Sequence, residues 1–535
     1  MDRSEAFKRI HETLIEAGFS YVSEPALYHG ILNIEGYKVN VSVDVRDSTF
    51  VTLPKVELLD RGGLPAPMIS HLATDGICYA AKGTLRLDLY RPGESILCVL
   101  KTVEAALAES ASKAIPSGIF EEFPAYWSDD PIFIYDRPTC DQAKLFVSKI
   151  EIDGITALAA HLPGHRLPHS LSKVDEATVF FTDSVLWAGL SPINNLEDFW
   201  RWCDEMEIAC KPAILKALSE RKWIILRGEN GGWIGLWIEP PQHLQKLSLR
   251  PKFLKSQIEM SPKSFDVQKF TGKDTTPDYI IERNLAERRS LKGLKIALIG
   301  CGTIGGYLAQ FLAQNGAGYN APLLLVDPEG LGSGNVGRHL LGANHIGKYK
   351  AKAVAEIIGN THGAMDVVPI AADALKVWPR LRDCDLIIDA TGIENVSDAL
   401  SHQVLNIPDS KRPALLHSWI WGNGIASQAF LNDTSDLACY RCLRSDPEKP
   451  GWRYDPRKDV HENAQVIPPN CSEGTYVPFS VSAGSIAASL AIDLALDWVN
   501  GNASPRLRVI CIDQQSTNHI KWTNPSKKSD CPAPH

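Results

Sequence analysis

The sequence has no excess of positive charge: 55 Lys and Arg stand against 63 Asp and Glu, a net charge of −8. A mildly acidic chain offers no field to hold a nucleic-acid backbone, so nucleic acid is not an expected partner. No run approaches the ~18 consecutive apolar residues of a membrane span, so no membrane contact is expected. The opening stretch, MDRSEAFKRIHETLIEAGF, reads as a charged amphipathic helix without a signal-peptide apolar block. A cytoplasmic location is therefore the expectation. The 12 cysteines are then mostly reduced thiols, and clusters of them read as metal ligands or nucleophiles before disulfides. No fixed-period repeat, heptad run or low-complexity tract is present.

What is there is an ordinary globular composition, 22% charged and 44% hydrophobic over 535 residues. At about 150 residues per domain that length means three to four domains. Three regions separate by pattern. Residues 1–150 open with a helix (3–17). A strand meander follows (GILNIEGYKVNVSVDV, STFVTLPKVELLD), and SILCVLKTVEAALAES reads as an amphipathic helix: an α+β layer. Residues 151–277 mix short strand-like runs with the Trp-rich helix LEDFWRWCDEM, and the polar, breaker-rich stretch 251–278 reads as a linker or docking segment. Residues 278–535 alternate strand and helix: KIALIG, YLAQFLAQNGA, APLLLVD, CDLIIDA, PALLHSWI, GSIAASLAIDLALDWV. That alternation predicts an α/β domain with a parallel, doubly wound sheet.

Gly300, Gly302 and Gly305 form G-x-G-x-x-G between a strand and a helix, the pattern that lets phosphate approach backbone amides at a helix start. Asp327 ends the next strand, where a carboxylate can accept hydrogen bonds from ribose hydroxyls. Alone, this fingerprint fits NAD or FAD. Past Asp327, however, come Asn335, Arg338 and Lys350. A dinucleotide does not require that cationic set. A triphosphate does, because Arg and Lys neutralise phosphate oxygens and orient the α-phosphorus.

GCGTIGG, LLLVDPEGLGSGNVGRH, GKYK, DLIIDAT, ACYRCL and NCSEGTYVPFSVSAGS, in that order, resemble the adenylating domain of ubiquitin-activating enzymes and their bacterial MoeB/ThiF relatives. The resemblance covers about 278–535. It implies ATP and Mg as cofactors and adenylation of the C-terminal carboxylate of a small protein. It implies that Asp327 holds ribose, that Asn335, Arg338 and Lys350 contact phosphates, and that Arg283 reaches the nucleotide of the other subunit in a homodimer. The family commonly reads D-x-T-D after its fourth strand, the second acid helping to bind magnesium. Here the run is Asp389-Ala-Thr391-Gly392, so Asp389 and the nearby Glu394 are the remaining carboxylates.

Cys439 and Cys442 form C-x-x-C, and Cys531-Pro-Ala-Pro-His535 closes the chain. Together they supply the three thiolates and one imidazole of a tetrahedral zinc set; in the related bacterial enzymes two such pairs bind a structural zinc. Cys471 lies in a loop before a long apolar helix, where a thiolate can be favoured. It matches the transferring cysteine of the activating family, which forms a thioester. Cys78 follows His–x₄–Gly–Ile. With the meander before it and the helix after it, residues 1–115 resemble ubiquitin-conjugating enzymes, although the family's His-Pro-Asn is reduced to His71. Cys98, Cys140, Cys203, Cys210, Cys301, Cys384 and Cys511 read as packing residues.

Both resemblances in one chain imply a bacterial fused activating–conjugating enzyme, similar to the ligases of CBASS antiphage operons. The implied cascade adenylates the free C-terminus of a cGAS-like nucleotidyltransferase, passes it to Cys471 and Cys78, and ends on an acceptor amine, a lysine. Arg338 and Asp389 join the two cysteines as the expected catalytic set. Three other readings stay open: the same cascade acting on a bacterial ubiquitin-like protein, a MoeB/ThiF-like sulfur-carrier activator, and a non-enzymatic Rossmann-type NAD or FAD binder.

Overall fold

The computed structural model describes residues 3–534, apart from 24–25, 74–75, 82, 122, 129, 139, 166, 168–169, 188, 190–191, 246–249, 435, 447–448, 460–466 and 471–473. The chain forms two compact units, Met1–Thr276 and Pro277–His535.

The first unit opens with helix Arg3–Glu16, which buries Ala6, Ile10 and Leu14, one face at four-residue spacing. Strands Ser20–Ser23, Leu27–Ile34, Tyr37–Asp44 and Lys55–Asp60 follow as an antiparallel meander in chain order. Val39, Val41 and Val43 all point inward, as a period of two requires. Helix Pro92–Leu107 starts with proline in its first turn, where the missing N–H costs nothing. It adds Ile96, Val99, Leu100, Val103 and Leu107 to the same core. Cys98 falls on its other face and is exposed, as is Cys140. The expectation that both are packing residues is therefore corrected: the helix period carries position 98 away from the core that 96, 99 and 100 share.

Seven strands of the first unit close into a barrel. They run from Pro131–Ile134 to Asp266–Asp274. The Trp-rich helix is Leu196–Glu205, started by Asn195, whose side chain accepts from the amides of Glu197 (3.0 Å) and Asp198 (3.1 Å). The stretch 251–278 is not a linker. It holds helix Pro251–Met260 and the barrel strand Asp266–Asp274, which pairs on both sides, with Trp233–Glu239 and Pro131–Ile134. Two backbone ladders hold that strand, so its side chains are free to be polar, and the hydrophobic alternation that marks a strand in sequence is missing.

The second unit is built on a seven-stranded sheet in the order Val367–Ile370, Leu323–Val326, Ile296–Ile299, Leu386–Asp389, Ala414–Trp421, Ala426–Asn432, Leu507–Cys511. The first five strands are parallel, and Ala426–Asn432 runs against them, pairing antiparallel with both Ala414–Trp421 and Leu507–Cys511. The sheet is thus mixed, where a parallel one was expected. Residues 422–425 are too short a connection for a crossover, so the strand after them must turn back. Helix Val481–Val499 is long and apolar enough to cross a membrane by length and composition. Here its Ala487, Ala488, Leu490, Ala491 and Leu494 are buried in the core under the sheet.

Strand order reverses at Ile296–Ile299: the chain moves outward to Leu323–Val326 and Val367–Ile370, then returns to Leu386–Asp389 on the other side. Open α/β sheets bind ligands beyond the carboxyl ends of their strands at such a reversal. Gly300 and Asp389 stand at those two strand ends.

Candidate active site

Each glycine of the loop has its own reason. Gly300 has φ +86°, and a Cβ there would come within 3.0 Å of the Ala390 carbonyl carbon and the Thr391 nitrogen. At Gly305 a Cβ would lie 1.8 Å from the Gly300 oxygen, so helix Thr303–Gln314 packs against its own loop. Around Gly302 nothing lies within 4 Å of a built Cβ. Its bare backbone at the helix start is open to a bound group.

Asp327 is buried at the end of its strand. One carboxylate oxygen accepts from the Cys301 amide (2.7 Å), the other from the Glu329 amide (2.8 Å). Burial pushes its pKa up, against those two amides and Lys350. Asn335 lies in the turn Ser333–Asn335 and accepts from the Gly332 amide (3.1 Å). The Arg338 guanidinium stands 4.8 Å from the Phe479 ring centroid. Lys350 begins helix Lys350–Thr361, is 6% exposed, and its Nζ meets Glu329 Oε2 at 2.6 Å. Asp327 and Lys350 are thus tied to one short segment around Glu329. Arg283 lies on helix Pro277–Leu285, exposed beside the Tyr279 ring.

His339 was quoted in the motif without a role. Its Nδ1 accepts from the Leu341 amide (3.0 Å), so its Nε2 carries the hydrogen donated to the Cys301 carbonyl (2.7 Å). With Asp327 on the amide and His339 on the carbonyl, Cys301 is held at both polar ends of its backbone. Burial lowers the His339 pKa to about 4. Cys301 itself is wholly buried, and that burial pushes its thiol well up.

Asp389, expected in the catalytic set, is buried with both carboxylate oxygens hydrogen-bonded to protein donors. It is 1% exposed. Its Oδ1 accepts from the Thr391 amide (3.0 Å) and hydroxyl (2.7 Å), and its Oδ2 from the Ser397 hydroxyl and from His417 Nδ1 (2.9 Å). Burial opposes its ionisation, but His417 and the hydroxyls outweigh it and hold the carboxyl below its usual range. Glu394 is half exposed and pairs with Arg444 at 2.7 Å. His417, in the apolar strand ALLHSWIW, escaped the sequence reading. A lone polar residue inside a buried run is the signal that could have found it.

The thiols of Cys439, Cys442 and Cys531 lie within 4.8 Å of one another. Cys439 Sγ is 3.8 Å from each of the other two. A Zn–S bond of about 2.3 Å gives a tetrahedral edge of about 3.8 Å, so the thiols fit that ion. The hydrogen bond from the Cys439 thiol holds Cys442 below the usual thiol range, and the Lys528 amide adds to it. Arg453 ties the two segments, donating to the Cys442 and Ser526 carbonyls. His535 lies outside the described residues, and so does Cys471, which falls between strands Ile467–Asn470 and Gly474–Tyr476.

Cys78 is exposed just after the hairpin Leu72–Ala73/Gly76–Ile77. Its amide donates to the His71 carbonyl (2.7 Å). On one side of it, a Cβ on Gly76 would meet the Val56 oxygen at 2.7 Å. On the other, the Tyr79 hydroxyl bonds the Pro54 carbonyl (2.6 Å). The thiol is thus presented to solvent from a segment anchored on both sides.

Two family descriptions match this chain. Residues 280–533 match the ThiF family, and residues 8–131 match prokaryotic E2 family B. The chain is a fused ubiquitin-activating-like and ubiquitin-conjugating-like enzyme. The fused enzyme is 28% identical to the ATP-dependent ubiquitin transferase-like protein Cap2 of Pseudomonas aeruginosa, over 99% of each chain. It is 26% identical to the Escherichia coli protein of that name, over 92% of this chain and 94% of that one. Among solved structures, E. coli MccB is similar at 15% identity and a TM-score of 0.35, over 46% of this chain and 68% of that one.

The buried neutral His339 carries a pH dependence. Its folded pKa lies below the ordinary 6.5, so the unfolded chain takes up the proton first. Its contribution is complete above 6.5 and is lost as pH falls from there towards about 4. Thermal melts over that range should fall more steeply for the natural protein than for His339→Gln, whose amide takes no proton. Parallel curves would remove His339 as the cause.

Proposed function

We propose that this enzyme adenylates the C-terminus of a cGAS-like nucleotidyltransferase in CBASS antiphage defence and conjugates it to a lysine amine. The observation that carries the reading is the bare Gly302 backbone beside Asp327 at one strand reversal, with Lys350 tied to the Asp327 segment through Glu329 and Arg338 next to the His339 that holds Cys301, in a chain that also holds the exposed, anchored Cys78. Asp327 takes the ribose, and the loop amides with Asn335, Arg338 and Lys350 take the phosphates. A carboxylate oxygen of the substrate attacks the α-phosphorus; the α–β bridging bond breaks and pyrophosphate leaves. The Cys471 sulfur then attacks the acyl carbon, AMP leaves, and the thiol proton passes to solvent. Transthiolation moves the acyl group to Cys78, and the amine nitrogen takes it last, freeing that thiol.

The nucleotide enters with magnesium. Asp389 has no exposed oxygen for the ion; Glu394 is the carboxylate beyond that strand that reaches solvent. Cys439, Cys442 and Cys531, with His535 as fourth ligand, hold a structural zinc. Residues 151–277 position the catalytic domains. The enzyme works in the cytoplasm as a homodimer, with Arg283 reaching the partner's nucleotide.

Three outcomes test this. Arg338→Ala should cut ATP–pyrophosphate exchange by about 10², the order lost with a transition-state charge stabiliser. Tight NAD binding without exchange, with nucleotidyltransferase and ubiquitin-like substrates both supplied, would overturn the ATP assignment.

Metal analysis should find about one zinc per chain, and Cys531→Ala should release it and lower the melting temperature. Full occupancy in that variant would exclude Cys531 from the ligand set.

On non-reducing gels with ATP and substrate, Cys78→Ala should accumulate a reductant-sensitive adduct on Cys471. Cys471→Ala should still exchange pyrophosphate but load neither cysteine, and the double variant should match it, because serial steps are not additive. Normal loading of Cys78 in Cys471→Ala would mean direct transfer from the adenylate.

A further inference from the structure

The Asp389 carboxylate sits at the strand reversal, three residues before Gly392, which stands where the activating family has its magnesium-binding acid, and its two oxygens accept from four protein donors. Its own strand end is paired to the glycine loop: Ile299 stands opposite Asp389, and the Ala390 amide donates to the Ile299 carbonyl at 2.8 Å. The next peptide, Ala390–Thr391, is the one against which Gly300 packs, where a Cβ would stand 3.0 Å from two of its backbone atoms. Thr391 is fixed by both its amide and its hydroxyl on Asp389 Oδ1. Ser397, one turn into helix Glu394–Leu405, and His417, on the neighbouring strand, fix Oδ2 from the other side. His417 is itself 1% exposed, with its ring 4.4 Å from that of Tyr440, which lies between Cys439 and Cys442. The carboxylate is the common acceptor of a turn, a helix and a strand.

We propose that Asp389 is a positioning residue and not a magnesium ligand: with Thr391, Ser397 and His417 it holds the Ala390–Thr391 peptide against Gly300 and thereby sets the shape of the phosphate loop. This rests on the ATP reading. A loop shaped this way sets how well nucleotide fits, whatever the magnesium concentration; a ligand of the ion would instead set how much magnesium is needed. The two roles therefore separate in one titration.

The test uses the full chain, with a fluorescent ATP analogue bound at equilibrium across a series of magnesium concentrations and pyrophosphate exchange measured alongside. Asp389→Asn and His417→Gln should each weaken nucleotide binding by about ten-fold, the order of a lost hydrogen bond to a buried charge. The half-saturating magnesium concentration should stay unchanged, and the loss should appear in KM more than in kcat. The double variant should be little worse than either, since both act through one network. A ten-fold rise in the magnesium requirement of Asp389→Asn, with His417→Gln binding normally, would overturn the proposal, as would normal binding by both variants. If Asp389→Asn does not fold, His417→Gln and Ser397→Ala carry the same comparison. Failure of the natural protein to bind the analogue would strike the ATP reading itself.

Discussion

Two backbone turns meet at the centre of the C-terminal unit with no space for a side chain between them. Gly300 packs on the Ala390–Thr391 peptide, and Gly305 packs on Gly300. The rest of the candidate site is hung on that contact. Asp327 and His339 hold the Cys301 backbone one residue further on, and each belongs to the long loop that carries Asn335, Arg338 and Lys350. A shift in the glycine turn would therefore move both the loop amides and the segment bearing the cations.

Burial sorts the polar groups and thiols. A carboxylate as deeply buried as Asp389 is tolerable only when its oxygens are fully hydrogen-bonded, and four donors provide that. Cys301 lies inside the glycine loop, and its burial keeps the thiol protonated. Cys203 and Cys384 are buried with raised pKa values for the same reason. Cys78 is on the surface, at the end of a short anchored hairpin, where a large acyl group can reach it.

Much of this was readable from residue order. The glycine turn, Asp327 and the cationic run carry their spacing in the chain, because each is set by a local strand–turn–helix geometry. The C-x-x-C is local too, and its C-terminal partner Cys531 was found by ligand type. The barrel was not read. Its strand Asp266–Asp274 is held by backbone ladders on both sides and shows no hydrophobic alternation. The reversed strand Ala426–Asn432, next to one edge of the C-terminal sheet, was missed as well, since a strand's direction depends on its partner.

The sequence by itself determined the two chemistries and their order along the chain, because phosphate loops, helix faces and short metal motifs are encoded within a few turns of backbone. Only the tertiary structure decided what each side chain is free to do. Asp389 looked available from its place after a strand, and it is spent on donors from Thr391, Ser397 and His417. Cys98 looked buried from its apolar neighbours, and it is exposed. His417 reaches Asp389 from a neighbouring strand 28 residues on, and the face of helix Pro92–Leu107 that is buried is set by the core it joins, so both outcomes depend on how elements pack together.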